Sequence, residues 1–241
     1  MSARDIKRQL RKMADPEKAK TLAKFFKTGS GEYGEGDVFL GVTVPQSRLV
    51  AKKFIDLPIA EVKVLLYSPI HEERLVALLI LLQKYNRTSA KEKLEIVRFY
   101  LDHVRQVNNW DLVDLTAPGL LGAHLADKSK RSLYRMARSD NLWERRIAIV
   151  STHQFIRKNE YSDTLDIAEI LLDDKHDLIH KAVGWMLREV GKRNIAAEEA
   201  FLDKHSKLMP RTMLRYAVER FSERKKRQYM KIDSVNLRQE L

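Results

Sequence analysis

The sequence predicts an all-α protein, an α-solenoid of HEAT-like helix pairs, from three observations. Apolar residues recur at spacings of three and four along almost the whole chain, as they do on the buried face of a helix. Strand signals are nearly absent, and the stretch VFLGVTV (38–44) is better explained as an extended connector. A charged residue followed by apolar ones recurs about every 35 residues, which is typical of stacked helical repeats.

Helical periodicity is clearest in eight segments. They are RDIKRQLRKM, EKAKTLAKFFK, SRLVAKKFIDL, EERLVALLILLQKYN, AKEKLEIVRFYLDHV, LWERRIAIVSTHQFIRK, YSDTLDIAEILLD and DLIHKAVGWMLREVGK. The breaks between helices fall at prolines, which are favoured where a helix begins. These prolines are Pro16, Pro45, Pro58, Pro69, Pro118 and Pro210.

The recurring pattern lies near the start of four successive long helices. It begins at Arg74, Asp111, Arg146 and Lys181, with spacings of 37, 35 and 35. Stacked helix pairs curve, so we expect a concave basic face that binds the ligand. The alternative is a compact helical bundle in which the spacing arises by chance. We predict one domain over residues 1–222, followed by a polar C-terminal tail at 223–241 that frays.

The composition narrows the class of ligand. Of 241 residues, 45 are Lys or Arg and 33 are Asp or Glu, a formal charge of +12 that favours a polyanion such as nucleic acid. The chain has no cysteine, which excludes disulfides, thiolate catalysis and cysteine-held metals. No apolar run approaches the roughly 18 residues that a membrane span needs, and the charged N-terminus is not a secretory signal. We therefore expect a cytoplasmic protein that does not associate with a membrane.

Two motifs are set aside. A literal G-x-G-x-x-G at Gly29, Gly31 and Gly34 follows a helix rather than a strand and carries acids that would repel a phosphate, so it indicates a flexible loop. His176 and His180 have metal-like spacing within LLDDKHDL, but that stretch favours a helix end and an acidic N-cap for the next helix. We predict no metal site.

The helix DLIHKAVGWMLREVGK (177–192), called α13 throughout, has two distinct sides. At about 100° per residue, the apolar residues Ile179, Ala182, Val183, Met186 and Val190 form the core side. A row on the opposite side, called here the α13 row, consists of Lys181, Trp185, Arg188 and Lys192. An aromatic side chain among cations suits a nucleic-acid groove. The alternative is that Trp185 packs against the next repeat.

Two further stretches carry polar residues where a helix should be apolar. In NLWERRIAIVSTHQFIRK (141–158), Arg145 and Arg146 interrupt a buried helix, and a buried arginine needs a partner or a ligand. Asp114, one repeat earlier, is a candidate partner. In WDLVD, Trp110 and Asp114 project within about 40° of each other. Asp111 lies on a different side, where we expect it to serve the solvent or a cap.

The order of Trp110 and Asp114, then Arg146, then Trp185 in KAVGWMLREVGK resembles the AlkD-like DNA alkylation-repair glycosylases, a HEAT-like repeat family. VFLGVTVPQSRLVAKKF also looks like that family's N-terminal connector and following helix, and the similarity runs from about residue 5 to residue 220. The spacing to Trp185 favours Arg146 over Arg145 as the family arginine.

The resemblance implies hydrolysis of the N-glycosidic bond of cationic alkylpurines, such as 7-alkylguanine and 3-alkyladenine, as the start of base excision repair. Asp114 would stabilise the sugar cation and position water, Trp110 and Trp185 would pack on the damaged nucleotide, and Arg146 would keep Asp114 ionised. The residues implied to bind the DNA backbone are Arg145, Lys181, Arg188 and Lys192.

A monomer acting on duplex DNA that carries alkylated purines is expected, with no metal or organic cofactor, and associated with the nucleoid while it acts. Two alternatives stay open. One is a non-catalytic HEAT-like DNA-binding or scaffold protein, and the other is a solenoid whose basic face meets an acidic protein partner.

Overall fold

The computed structural model describes residues 1–230 and confirms the predicted all-α class. Over that range it contains helices and loops but no β-strand, and its only extended pairing is an isolated parallel bridge between Val38 and Ile70. The chain divides into two compact units, Met1–Thr116 and the residues from Ala117 onward. No helix in the described range is long and apolar enough to cross a membrane.

The first unit is built from seven α-helices. They are α1 (Ala3–Arg11), α2 (Pro16–Phe25), α3 (Val44–Lys53), α4 (Ile59–Leu66), α5 (His71–Arg87), α6 (Ala90–Asp102) and α7 (Trp110–Ala117), which reaches one residue past the unit boundary. The longest, α5, is buried over most of its surface and packs against α3 and α4. A helix that is apolar nearly all round belongs in a core.

The connector before α3 is shaped by a buried carboxylate. Both oxygens of Glu72 accept the backbone N–H of Leu40 at 3.0 Å, and Oε1 also accepts those of Gly41 at 2.9 Å and Val42 at 3.2 Å. Gly41 has φ +83°, and a Cβ there would lie 2.2 Å from the carbonyl oxygen of Asp15. The VFLGVTV stretch is therefore a connector, as predicted, because its N–H groups bond to a side chain rather than to a neighbouring strand.

The second unit contains the remaining helices of the described range. It begins with one π-helical turn at Pro118–Gly122, followed by α8 (Ala123–Leu125), α9 (Arg131–Met136), α10 (Leu142–Ser151), α11 (His153–Ile156), α12 (Ser162–Ile170), α13 (Asp177–Gly191), α14 (Ile195–His205), α15 (Arg211–Ala217) and α16 (Glu223–Met230). Here α10 packs on α9 and α13, and α13 packs most extensively on α15.

The predicted repeat coincides with the helix order. Arg74, Asp111, Arg146 and Lys181 each lie within the first five residues of α5, α7, α10 and α13. Other helices separate these four along the chain, as in an array of helix pairs: α6 lies between the first two, α8 and α9 between the next two, and α11 and α12 between the last two. The prolines also behave as expected, since Pro16 and Pro45 occupy the first turns of α2 and α3.

The predicted tail needs a correction. Residues Glu223–Met230 form α16 instead of fraying, because Tyr229 is buried and its hydroxyl donates to Asp203 at 2.7 Å. The Tyr229 ring also meets Phe221 edge-on at 5.8 Å. Residues 231–241 of the predicted tail lie outside the described residues.

Candidate active site

The predicted catalytic residues are divided between the two units, and in the first unit they lie on α7. Leu112 and Val113 are fully buried there, whereas Trp110 and Asp114 are partly exposed. The start of α7 is set by Asn109, whose buried side-chain oxygen accepts the backbone N–H of Trp110 at 2.8 Å. An aromatic ring and a carboxylate therefore share the accessible side of this short helix.

Asp111 corrects the sequence prediction. It faces neither solvent nor an open helix end but is 6% exposed, and its Oδ2 lies 2.8 Å from Nε2 of His71. Its Oδ1 accepts the backbone N–H of Leu112 at 2.8 Å. The expectation that Asp111 serves the solvent or a cap was wrong, because helix periodicity does not reveal that His71 on α5 packs against this side of α7.

A buried polar cluster, called here the His71 network, joins three parts of the first unit. It consists of Asp37, His71, Arg74, Asn109 and Asp111. Nδ1 of His71 lies 3.1 Å from Asp37, whose other oxygen accepts from Arg74 at 2.6 Å. Asn109 donates to Asp37 at 3.0 Å. The loop before the connector, α5 and the start of α7 are thereby tied together in the core.

The network requires a protonated imidazole. Both ring nitrogens of His71 face carboxylate oxygens, which accept hydrogen bonds, so both nitrogens donate. Burial lowers the pKa of His71, but the charge and hydrogen bond of Asp111 and the hydrogen bond of Asp37 outweigh it and raise the pKa to about 9. The hydrogen bond from His71 and the charge of Arg74 outweigh burial at Asp37 and lower its pKa. The positive charges of His71 and Arg74 then balance the negative charges of Asp37 and Asp111.

An aromatic stack connects Trp110 to this network. The Trp110 ring lies nearly parallel to Phe26, with centroids 5.0 Å apart and planes 9° apart. Phe26 stacks on Phe39 at 5.0 Å, and Phe39 stacks on His71 at 4.6 Å. Phe25 meets Trp110 edge-on at 5.8 Å and is 63% exposed. One face of Trp110 is thus covered by protein, and a nucleotide would have to use the other.

In the second unit, the two arginines of α10 differ in their surroundings. Arg146 is 5% exposed, and its guanidinium donates to the carbonyl oxygen of Leu178 at 2.5 Å. Arg145 is partly buried, and its Nε donates to Asp174 at 2.6 Å. It also donates to two backbone carbonyls of the preceding turn, each at 2.9 Å. Arg145 would have to leave these partners to reach a phosphate, so its DNA-binding role stays a prediction.

The two sides predicted for α13 are both present. All five residues of the expected core side are buried, while Lys181, Trp185 and Arg188 are partly exposed and Lys192 is exposed. The helix approaches α15 closely at Gly184, where a Cβ would lie 2.3 Å from the carbonyl oxygen of Met213. This backbone contact fixes the direction of the row, because it fixes the rotation of the helix.

The α13 row is less basic than its sequence suggests. Lys181 pairs with Asp177 at 2.7 Å, and Lys192 pairs with Glu189 at 2.6 Å. Glu189 also bonds the tryptophan of the row, since Nε1 of Trp185 donates to it at 3.1 Å. Arg188 forms an ion pair with Glu219 on the turn that follows α15. Each cation of the row thus has an anionic neighbour in the second unit.

The stretch before α13 holds a second correction. The N-cap is His176 rather than an aspartate, and its Nδ1 accepts the backbone N–H of Leu178 at 3.1 Å. Asp174 instead divides its two oxygens, since Oδ2 accepts from Nε of Arg145 at 2.6 Å and Oδ1 accepts the backbone N–H of His176 at 2.8 Å. In the described range no group of three or more His, Asp or Glu side chains has the arrangement of a metal site.

Sequence reasoning missed the residues that support Trp110. Phe25 and Phe26 look like ordinary members of an amphipathic helix, and only their doubled position at the end of α2 is unusual. Asp37 and His71 are separated by 34 residues, and His71 and Asp111 by 40. Those spacings match no local helix or strand pattern, so the pairs become visible only after folding.

Comparison with known proteins places this chain in a family. The sequence profile described as DNA alkylation repair enzyme matches residues 6–221. A structure titled "Predicted DNA alkylation repair enzyme from Enterococcus faecalis" is 19% identical, covers 87% of this chain and 97% of its own, and superposes with a TM-score of 0.68, which shows a shared fold. No curated protein matches the sequence. Because the profile spans nearly the whole chain, this protein belongs to the DNA alkylation repair enzyme family, and its role lies in the repair of alkylated DNA.

Proposed function

We propose that this protein is a DNA glycosylase that hydrolyses the N-glycosidic bond of cationic alkylpurines, such as 7-alkylguanine and 3-alkyladenine, in duplex DNA. The observation that carries the proposal is the accessible side of α7, where Trp110 and Asp114 are partly exposed while Asp111 turns inward. Family membership supplies the substrate polymer, DNA, and the kind of lesion.

The proposed reaction needs a carboxylate but no general acid. An alkylated purine is already cationic, so the C1′–N9 bond breaks with its electron pair moving onto the base, which leaves neutral. Positive charge develops on the deoxyribose, and a fixed carboxylate stabilises it. A water oxygen then bonds to C1′, and Asp114 takes the proton that the water loses. The products are an abasic site and the free alkylpurine.

The remaining residues bind the damaged strand in this proposal. The open face of Trp110 packs on the lesion-bearing nucleotide, as aromatic faces do with cationic or sugar surfaces. In the second unit, Trp185 contacts the DNA strand, and Lys181, Arg188 and Lys192 exchange their carboxylate partners for backbone phosphates. Such contacts carry no sequence information, so lesions in different sequence contexts are cleaved alike.

The test is base release from duplex DNA containing 7-methylguanine under single-turnover conditions. Wild type should release the base, and Asp114→Asn should lose at least a hundredfold in rate while binding the same duplex as tightly. Asp102→Asn is the matched control, because Asp102 is an exposed aspartate at the end of α6. It should behave as wild type.

Three outcomes would overturn the proposal. Wild type that binds duplex DNA without releasing base would favour the non-catalytic DNA-binding alternative. Equal release by wild type and Asp114→Asn would remove Asp114 from the reaction. A protein with no affinity for DNA would favour the alternative of an acidic protein partner.

A further inference from the structure

We propose that His71 is a positioning residue, which acts through Asp111 to fix the first turn of α7 and so the orientation of Trp110 and Asp114. The inference rests on the proposed function for its catalytic meaning, but its structural content can be tested without it. The residues that face the DNA in that proposal do not include His71, which is 2% exposed and touches only other parts of the first unit.

The geometry of the attachment between Asp111 and His71 supports this role. Asp111 lies between Trp110 and Asp114 on α7, on the inward side, and its two oxygens have different partners. One meets Nε2 of His71 at 2.8 Å, and the other accepts the backbone N–H of Leu112 at 2.8 Å. The bond to Leu112 lies within α7 and fixes the side-chain conformation of Asp111. Because a helix is stiff over one turn, the bond to His71 then sets the rotation of the turn that carries the neighbouring residues.

A second attachment works on the same turn from the other side of the network. Asn109 bonds Asp37 with its amide nitrogen at 3.0 Å and the backbone N–H of Trp110 with its amide oxygen at 2.8 Å. Asp37 in turn lies 3.1 Å from Nδ1 of His71. The histidine therefore reaches the residue before Trp110 and the residue after it.

The aromatic stack beneath Trp110 also depends on His71. Trp110 rests on Phe26, which lies 5.1 Å from the ring of His71, and Phe39 stacks on the same histidine at 4.6 Å. A cavity of about 300 Å³ beside the stack is lined by Lys18 and Glu72 among others, so the stack has room to shift if the histidine moves. The network holds it against that space.

Loss of one proton should release this arrangement. A neutral imidazole donates from only one nitrogen, so either Asp37 or Asp111 would face an unprotonated nitrogen. The charged groups around the ring are Asp37 from the loop, Asp111 from α7 and Arg74 from α5 itself, with Lys18 and Glu72 across the cavity. As the pH rises through about 9, His71 loses its proton and the first turn of α7 loses one attachment.

The decisive variant is the double substitution His71→Gln with Asp111→Asn. It removes one buried cation and one buried anion together, so charge balance is kept and the protein should fold. We expect single-turnover base release to fall at least tenfold, while affinity for the duplex stays within threefold of wild type. The rate should also become flat above pH 8, whereas the wild-type rate should decline through about pH 9, measured against an enzyme-free blank.

Glu73→Gln is the matched control. Glu73 lies two residues after His71 on the same helix and is fully buried, but it pairs with Lys7 on α1 at 3.1 Å. If buried charge on α5 mattered only for folding, both variants would lose stability alike and neither would lose rate at equal folded fraction. We expect Glu73→Gln to keep the wild-type rate.

A readout without substrate separates this inference from the proposed function. In protein labelled with 5-fluorotryptophan, the ¹⁹F signal of Trp110, assigned by its loss in Trp110→Phe, should shift with a midpoint near pH 9 in wild type. It should not titrate in the double variant. This titration together with an inactive wild type would sustain the positioning role and reject the glycosylase. A Trp110 signal that does not titrate, or a double variant with the wild-type rate, would overturn the positioning role.

Discussion

The His71 network in the first unit and the α13 row in the second both pair positive with negative charges. They differ in burial, and the consequences of losing a partner differ with it. The network is buried, so removal of any of its charged members leaves a buried charge without compensation. The row is partly exposed, and water can replace any partner that is removed. The comparison shows that a buried ion set specifies geometry, while an exposed one can exchange its partners for a ligand.

The largest effect is expected from Arg74→Met. Arg74 is 3% exposed and donates to Asp37 at 2.6 Å, so its loss leaves the buried network with one more negative charge than positive. The free energy of unfolding should fall by about 3–5 kcal/mol at pH 7. Urea unfolding measures it, and adding Asp37→Asn to the variant should recover part of the loss. A loss of unfolding free energy no larger than that of an exposed ion pair would show that the buried network is no more sensitive to a lost partner than the α13 row is.

The pH dependence of stability should follow next. The folded pKa of His71 lies above its ordinary value of 6.5, so its contribution is complete below pH 6.5 and is lost as the pH rises through about 9. About 3 kcal/mol should disappear across that window. Burial, the largest cause, and the charge of Glu199 raise the pKa of Glu198 to about 8, which gives an overlapping loss. Urea titrations should therefore be made in the Glu198→Gln background, with His71→Gln added as the control that removes the remaining slope.

A packing change should rank third. Gly184→Ala places a Cβ 2.3 Å from the carbonyl oxygen of Met213 and 2.6 Å from Cβ of Tyr216. Overpacking of this kind should cost about 1–3 kcal/mol, more than the loss of any ion pair in the row. Thermal unfolding compares it with Gly29→Ala, whose new Cβ meets only the flexible side chain of Glu32. If the two variants melt alike, α13 is not held by its close approach to α15.

The smallest effect on stability should come from Lys192→Gln. Lys192 is exposed and pairs with Glu189 on its own helix, so the free energy of unfolding should change by less than about 1 kcal/mol. The slope of log affinity against log salt for duplex DNA should nevertheless decrease in magnitude by about 1 if this cation contacts a phosphate. Lys175→Gln, on the loop before α13, is the control. An unchanged slope would keep Lys192 out of the DNA interface.

The fold was largely predictable because it depends on repeated local patterns. The eight segments that apolar spacing identified are all helical, and Pro16 and Pro45 marked helix starts, but the helices α4, α9, α14 and α15 were not among those segments. The fraying of residues 223–230 was predicted wrongly, since their composition is polar and Tyr229 is the one residue of α16 that is buried. Hydrophobic periodicity cannot predict such a helix, because a single buried side chain produces no repeating apolar pattern.

The candidate site was predictable only on its accessible side. Helical spacing placed Trp110 with Asp114, and it separated the α13 row from the core side of α13. It misjudged Asp111 and the N-cap of α13, because a polar side chain near a helix start is equally compatible with a cap, solvent and a buried partner. Which of these applies depends on what another helix presents.

The amino-acid sequence determined the all-α class, the helix order, and the shared direction of Trp110 and Asp114, since each follows from residues within a few positions of one another. Tertiary structure decided that Asp111 is buried against His71 and that the cations of the α13 row have acidic neighbours. These pairings join residues up to 40 positions apart, and Asp111 gains its role only when folding excludes the water that would otherwise solvate it. Trp110 and Asp114 lie four residues apart on one helix, whereas the His71 network that holds this helix joins residues that are distant in the sequence.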